Sequence, residues 1–160
     1  IAARHLALTR ETRLNGHARN QHEREDYRMA ELTQAMRDFL NERRFAVLAT
    51  NNLDGSIHQT VMWFELRGDT IMMNTSNDRV KDANTRRDPR ISICIEDGYR
   101  FLTISGSATL DDDPVTSQAD IYALARRYNP DFKEGDYPYF KEQQRVTITL
   151  PIEKLIANGF

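Results

Sequence analysis

The stretch from Asn74 to Arg90 reads Asn-Thr-Ser-Asn-Asp-Arg-Val-Lys-Asp-Ala-Asn-Thr-Arg-Arg-Asp-Pro-Arg. It follows the short apolar strand Thr70–Met73 and leads, past Asp88-Pro89, into the apolar run Ile91-Ser92-Ile93-Cys94-Ile95. A strand, a polar turn and a short basic helix ended by proline make an anion site the first reading. First-turn N–H groups of a helix have no intrahelical partner, and the helix dipole adds partial positive charge there. Thr75 and Ser76 bring hydroxyls to the strand end, with Ser76, Asn77 or Asp78 as the expected N-cap. Arg79 offers a planar fork and Lys81 a compact point charge, both suited to phosphate. Each charge-assisted hydrogen bond is worth roughly 1.5–3 kcal/mol, so two or three would hold a phosphorylated cofactor at micromolar level. The competing reading is a solvated helix face on which Asp78 and Asp82 neutralise Arg79 and Lys81.

Working outward, the pattern is of strands joined by tight turns. Upstream, Phe45–Thr50 is a short apolar run, Asp54-Gly55 is a hairpin signal, and Ser56–Leu66 reads as one long strand. Ile57, Gln59, Val61 and Trp63 lie on one side of it, and His58, Thr60, Met62, Phe64 and Leu66 on the other. Arg67-Gly68-Asp69 then turns the chain into a strand over Thr70–Thr75. Downstream, Arg90–Glu96 and Tyr99–Leu110 are strands around Asp97-Gly98. Asp111-Asp112-Asp113-Pro114 opens a helix whose expected inner face is Val115, Ala119, Tyr122 and Ala125, and Asn129-Pro130 stops it. An aromatic connection over 131–144 precedes a last strand, Arg145–Leu150. In front of all this, Met29, Leu32, Met36, Phe39 and Leu40 predict a helix over Tyr27–Leu40 with Asp26 as its cap. Six strands paired by hairpins, with flanking helices, predict a mainly β domain over 26–160 built as a small antiparallel barrel.

Residues 1–25 read as a polar arm held by a partner subunit, with His5, His17 and His22 outside any metal-ligand spacing. At 160 residues and a formal net charge of −2, the chain favours a small-molecule partner over nucleic acid or an anionic membrane. Its single cysteine, Cys94, permits no internal disulfide and suits a reducing cytoplasm. No run approaches the eighteen or so apolar residues of a membrane span, so a cytoplasmic location is expected.

The order Phe45–Thr50, Asp54-Gly55, Val61-Met62-Trp63-Phe64, Arg79-Val80-Lys81 with Asn84, Arg86–Arg90 and Arg145–Pro151 resembles the pyridoxamine 5'-phosphate oxidase-like split β-barrels. Within them it looks most like the flavin and deazaflavin oxidoreductase B group. The resemblance implies a six-stranded split β-barrel (the FMN-binding split barrel), a homodimer with two cofactor sites at its interface, and coenzyme F420 as cofactor, with FMN as the alternative. It implies that Arg79 and Lys81 hold the cofactor phosphate, helped by Thr75 and Ser76, while His58-Gln59-Thr60-Val61 runs beside the ring. Trp63 would wall the pocket, or else pack in the core or the dimer interface. Arg86 and Arg87 would reach an acidic tail of the cofactor, or else simply complement the helix dipole. The chain lacks the C-terminal tryptophan and arginine of the pyridoxamine phosphate oxidases proper, since Ile152–Phe160 contains neither, so that oxidation is not expected. The implied activity is hydride transfer between the deazaflavin and a small electrophilic substrate, with no catalytic side chain and no metal assigned. Its rivals are an FMN-dependent reductase or oxidase and a non-catalytic flavin, deazaflavin or haem carrier.

Overall fold

The computed structural model describes residues 31–160, so the polar arm and the expected Asp26 cap lie outside the described residues. Helix α1 spans Gln34–Asn41, where Thr33 accepts the Met36 N–H on its side chain at 3.3 Å. The expected helix over Tyr27–Leu40 therefore does not extend through residues 31–33, because the Thr33 hydroxyl satisfies an end N–H there.

Strands β1 (Ala46–Asn51) and β2 (Ile57–Met62) form the first hairpin. Gly55 takes φ +82° in its turn, which a residue with a Cβ rarely adopts. The chain continues through β3 (Glu65–Arg67), β4 (Thr70–Ser76), α2 (Val80–Arg87), β5 (Arg90–Asp97), β6 (Arg100–Ser107) and β7 (Thr109–Asp111). It ends with α3 (Pro114–Tyr128), the one-turn α4 (Tyr139–Glu142), β8 (Arg145–Pro151) and β9 (Lys154–Asn158).

Two antiparallel sheets result, ordered β2-β1-β5-β6-β9 and β3-β4-β8-β7, with the core between them. Leu48, Ile93, Leu102 and Ile104 from the first face Ile71, Met73, Ile148 and Leu150 from the second, and Phe39 and Leu40 of α1 join the same cluster. The mainly β, antiparallel character with flanking helices is as expected, but the six-stranded barrel is corrected in its strand count: among the described residues there are nine strands in two sheets. The expected strand Ser56–Leu66 breaks at Trp63-Phe64, so that β2 and β3 belong to different sheets. Phe64 is fully buried at the crossing, and its N–H is taken by the Tyr128 hydroxyl at 3.2 Å. Tyr99–Leu110 breaks likewise at Ala108, whose N–H leaves the ladder for the Pro89 carbonyl at 2.8 Å. The last strand, β9, falls in a segment read as having none. No helix among the described residues is long and apolar enough to cross a membrane.

Helix α3 starts at Pro114 as expected, but its inner face differs. Val115 and Ala119 are exposed, and the buried set is Ser117, Asp120, Ile121, Tyr122, Leu124 and Ala125. Polar Ser117 and Asp120 hide from a hydrophobic count, yet both are buried with partners: the Ser117 hydroxyl donates to the Asp113 carbonyl one turn back while its own carbonyl accepts from Asn74, and Asp120 accepts from Thr147 of the second sheet.

Candidate functional site

The end of β4, the turn into α2 and the start of β8 meet in one place. The register pairs Thr75 with Val146 and Ser76 with Arg145, so an arginine remote in sequence sits across from the strand-end hydroxyls. Helix α2 begins immediately beyond, with Arg79 as an extended N-cap that makes no side-chain cap bond. None of Ser76, Asn77 and Asp78 is the N-cap; the Ser76 hydroxyl bonds to Asp78 instead, which lowers the Asp78 pKa.

A cleft of about 290 Å³ opens here. Its polar lining includes Thr75, Ser76, Arg79, Lys81, Gln143 and Arg145. The Thr75 hydroxyl is buried and has no hydrogen-bond partner among the described residues. Lys81 is half-buried, and its pKa is lowered by that burial first and by Arg79 and Arg145 second. Arg145, 8% exposed, has its pKa pushed down to about 10, again chiefly by burial. The carboxylate beside these three cations is Asp78, 3.6 Å from Arg79. An excess of positive charge, buried at Arg145, half-buried at Lys81 and exposed at Arg79, together with an unanswered buried hydroxyl, is costly alone and favourable around an anion. The fit to a phosphate group is therefore good.

The rest of the lining is apolar and aromatic: Val61, Met62 and Trp63 from the β2 end, Ile121 and Leu124 from α3, and Tyr139 and Phe140 from α4, with the Arg145 guanidinium 5.3 Å over the Phe140 ring. Trp63 stacks on Tyr128 with centroids 5.1 Å apart and planes 10° off parallel, and meets the edge of Tyr137 at 6.5 Å. Tyr139 and Phe140 make an edge contact at 4.8 Å. A planar ring system has both a slot and a wall to lie against.

Of the residues anticipated from sequence, the fold brings Thr75, Ser76, Arg79, Lys81, Val61 and Trp63 into this cleft. His58, Gln59 and Thr60 do not line it. Gln59 points outward and is exposed, while Thr60 and His58 are half-buried, the latter with a buried, unpartnered Nδ1 opposite Thr50. Arg86 lies elsewhere too. It binds Asp82 at 2.9 Å and both oxygens of Asp112, and lines a separate surface cavity with Asn77 and Gln144. Those carboxylates raise its pKa, Asp112 foremost. Arg87 donates to the Asn51 carbonyl and to Asn84. Sequence reasoning missed Arg145, Gln143 and the aromatic pair Tyr139-Phe140. The available signal was a lone arginine opening a strand with no other charged residue.

Residues 32–150 match the family described as Pyridoxamine 5'-phosphate oxidase. Among solved structures, the chain is similar to the conserved hypothetical protein Rv2991 from Mycobacterium tuberculosis at 26% identity and a TM-score of 0.68, over 81% of this chain and 86% of that one. It is similar in fold to a protein named F420 reductase, at 24% identity and a TM-score of 0.69, over 78% of this chain and 98% of that one. A protein from Listeria innocua described as a pyridoxamine 5'-phosphate oxidase shares the fold at 24% identity and a TM-score of 0.61, over 79% and 98% of the two chains.

Proposed function

Since the chain belongs to the pyridoxamine 5'-phosphate oxidase family, we propose that it is an oxidoreductase passing a hydride between a deazaflavin, coenzyme F420, and a small electrophilic substrate. The observation that carries this reading is the cleft itself, in which three cations, graded from buried Arg145 to exposed Arg79, share the lining with aromatic side chains. A phosphorylated ring cofactor needs both in that arrangement.

In this reading Arg79, Lys81 and Arg145 hold the cofactor phosphate, and the Thr75 hydroxyl donates to one of its oxygens. Val61 and Trp63 flank the ring. Strand β2 is the edge of its sheet, so its unpaired backbone groups are free to read the ring's polar rim. Bound there, the cofactor supplies the hydride chemistry. The protein's part is to orient the ring, keep water from the apolar half of the cleft and hold the phosphate by charge. No side chain of the cleft is assigned the substrate's proton.

The fold resemblance to a protein named F420 reductase supports the deazaflavin. FMN is the second reading, favoured by the charge count. Three cations against the single carboxylate Asp78 suit the doubly charged phosphate monoester of FMN, whereas the phosphate diester of F420 carries one charge. The cofactor binds between two copies of this chain in either case. Support comes from a largely apolar row on the five-stranded sheet, uncovered among the described residues, where Val61, Val47, Cys94, Thr103 and Ile156 align in register across five strands. Val61 and Ile156 are each 64% exposed in the single chain.

Paired titrations with F420 and FMN, read by fluorescence of the chain's one tryptophan, Trp63, decide the cofactor. Tighter binding of F420 is expected; tighter FMN binding moves the assignment to a flavin enzyme, and binding of neither removes it. A panel of electrophilic acceptors with reduced cofactor then separates an enzyme from a carrier.

A further inference from the structure

Arg145 meets no carboxylate among the described residues, yet it is held in place by a chain of side chains running away from the cleft. Its Nε donates to Asn74 Oδ1 at 2.8 Å. Asn74 Nδ2 donates to the Ser117 carbonyl at 2.9 Å and to Thr147 Oγ1 at 3.3 Å. Thr147 Oγ1 donates to Asp120 Oδ2 at 2.7 Å, and Asp120 Oδ1 accepts from Arg67 at 2.7 Å near the surface. Asn74, Thr147 and Asp120 are all buried. The strand register itself sets Asn74 opposite Thr147, and α3 supplies Ser117 and Asp120 one turn apart.

Each link has only one workable direction. An ionised carboxylate accepts and cannot donate, so the single proton of the Thr147 hydroxyl goes to Asp120. Thr147 then has only lone pairs to show Asn74. Asn74 must turn its NH₂ toward Thr147 and the Ser117 carbonyl, which leaves its oxygen for Arg145. The opposite orientation would set NH₂ against the Arg145 N–H and oxygen against a carbonyl. Arg145 is thereby fixed with Nε committed to Asn74 and one terminal nitrogen committed to Gln143 at 2.7 Å. The other terminal nitrogen has no acceptor among the described residues and is not sealed from solvent. It belongs to a side chain that lines the cleft.

We propose that Asp120, which does not line the cleft, is a positioning residue for its anion: acting through Thr147 and Asn74, it aims the free N–H edge of Arg145 at the ligand's phosphate. The relay rests on the phosphate-site reading given above and adds to it a determinant on α3. It predicts that breaking the relay weakens phosphate recognition while ring recognition is kept.

The test is a calorimetric titration of the wild type, Thr147→Val and Thr147→Ser with FMN and riboflavin, and with F420 and its phosphate-free deazariboflavin precursor. Thr147→Val keeps the shape and removes the hydroxyl. It should weaken binding of the phosphorylated forms at least fivefold and leave the phosphate-free forms unchanged. Thr147→Ser, which restores the hydroxyl, should bind as the wild type does. In ¹⁵N-arginine-labelled protein, the Arg145 Nε–H signal should lose exchange protection in Thr147→Val alone. If Thr147→Val does not fold, Asp120→Asn carries the same comparison, since it keeps the volume and abolishes the obligatory direction. Equal losses for phosphorylated and phosphate-free forms, or no loss for either, would overturn the relay. A wild type that gains nothing from the phosphate overturns the phosphate site itself, and the relay with it.

Discussion

Arg79 and Lys81 are two residues apart and were readable as an anion site, because the spacing that brings them together is local. Replacing both with Ala should weaken cofactor binding at least about tenfold, the loss of one or two charge-assisted hydrogen bonds, with the far-UV circular dichroism unchanged. Unaltered affinity in that variant would remove the assignment. The same cations predict a pH profile. Lys81 is shifted down from 10.5 and Arg145 down to about 10, so each surrenders its proton at lower pH than it would in water. Only the protonated forms attract an anion. The affinity for inorganic phosphate should hold at neutral pH and mildly above, and fall as pH approaches 10. Phosphate titrations at constant ionic strength check this, and an affinity still flat at that pH would contradict it.

Among the elements, hairpin turns were legible and strand ends were not. Gly55 and Gly98 sit at positive φ in the turns where Asp-Gly is read, since a tight turn carries its own conformational demand. Strand breaks at Trp63-Phe64 and Ala108 carry no such demand. They are imposed by partners across the molecule, the Tyr128 hydroxyl and the Pro89 carbonyl. Gly106, on β6 where the two sheets converge, belongs with them: a Cβ added there would lie 2.5 Å from the Pro151 carbonyl oxygen of β8. Gly106→Ala should therefore destabilise the fold by about 1–3 kcal/mol, as overpacking does, and lower the midpoint of thermal unfolding. A midpoint equal to that of the wild type would mean that the sheet ends move apart without strain.

At the level of the whole molecule, the five-stranded sheet buries one face in the core, and among the described residues nothing covers the other along the row of Val61 and Ile156. The row from Val61 through Val47, Cys94 and Thr103 to Ile156 crosses the entire sheet, and Val47 is 37% exposed at its interior. An apolar band of that continuity is a covering surface. The chain is expected to sediment as a dimer, and Val47→Asp as a monomer with reduced cofactor affinity. Equal sedimentation of the two would assign the band to something other than a second copy.

By itself, the sequence determined the β-rich class, the hairpins, the short basic helix and the half of the cleft built from Thr75 to Lys81. Each of these depends on neighbours in the chain, where side-chain period, turn residues and charge spacing act directly. The tertiary structure alone decided that two sheets share the strands, that Ser117 and Asp120 face inward on α3, and that Arg86 pairs with Asp112 rather than facing the cleft. It also decided that Arg145 joins Asn74 across 71 positions of sequence. A buried polar residue is stable only with its partner, and the partner is chosen by the register of β4 against β8, which no local pattern encodes.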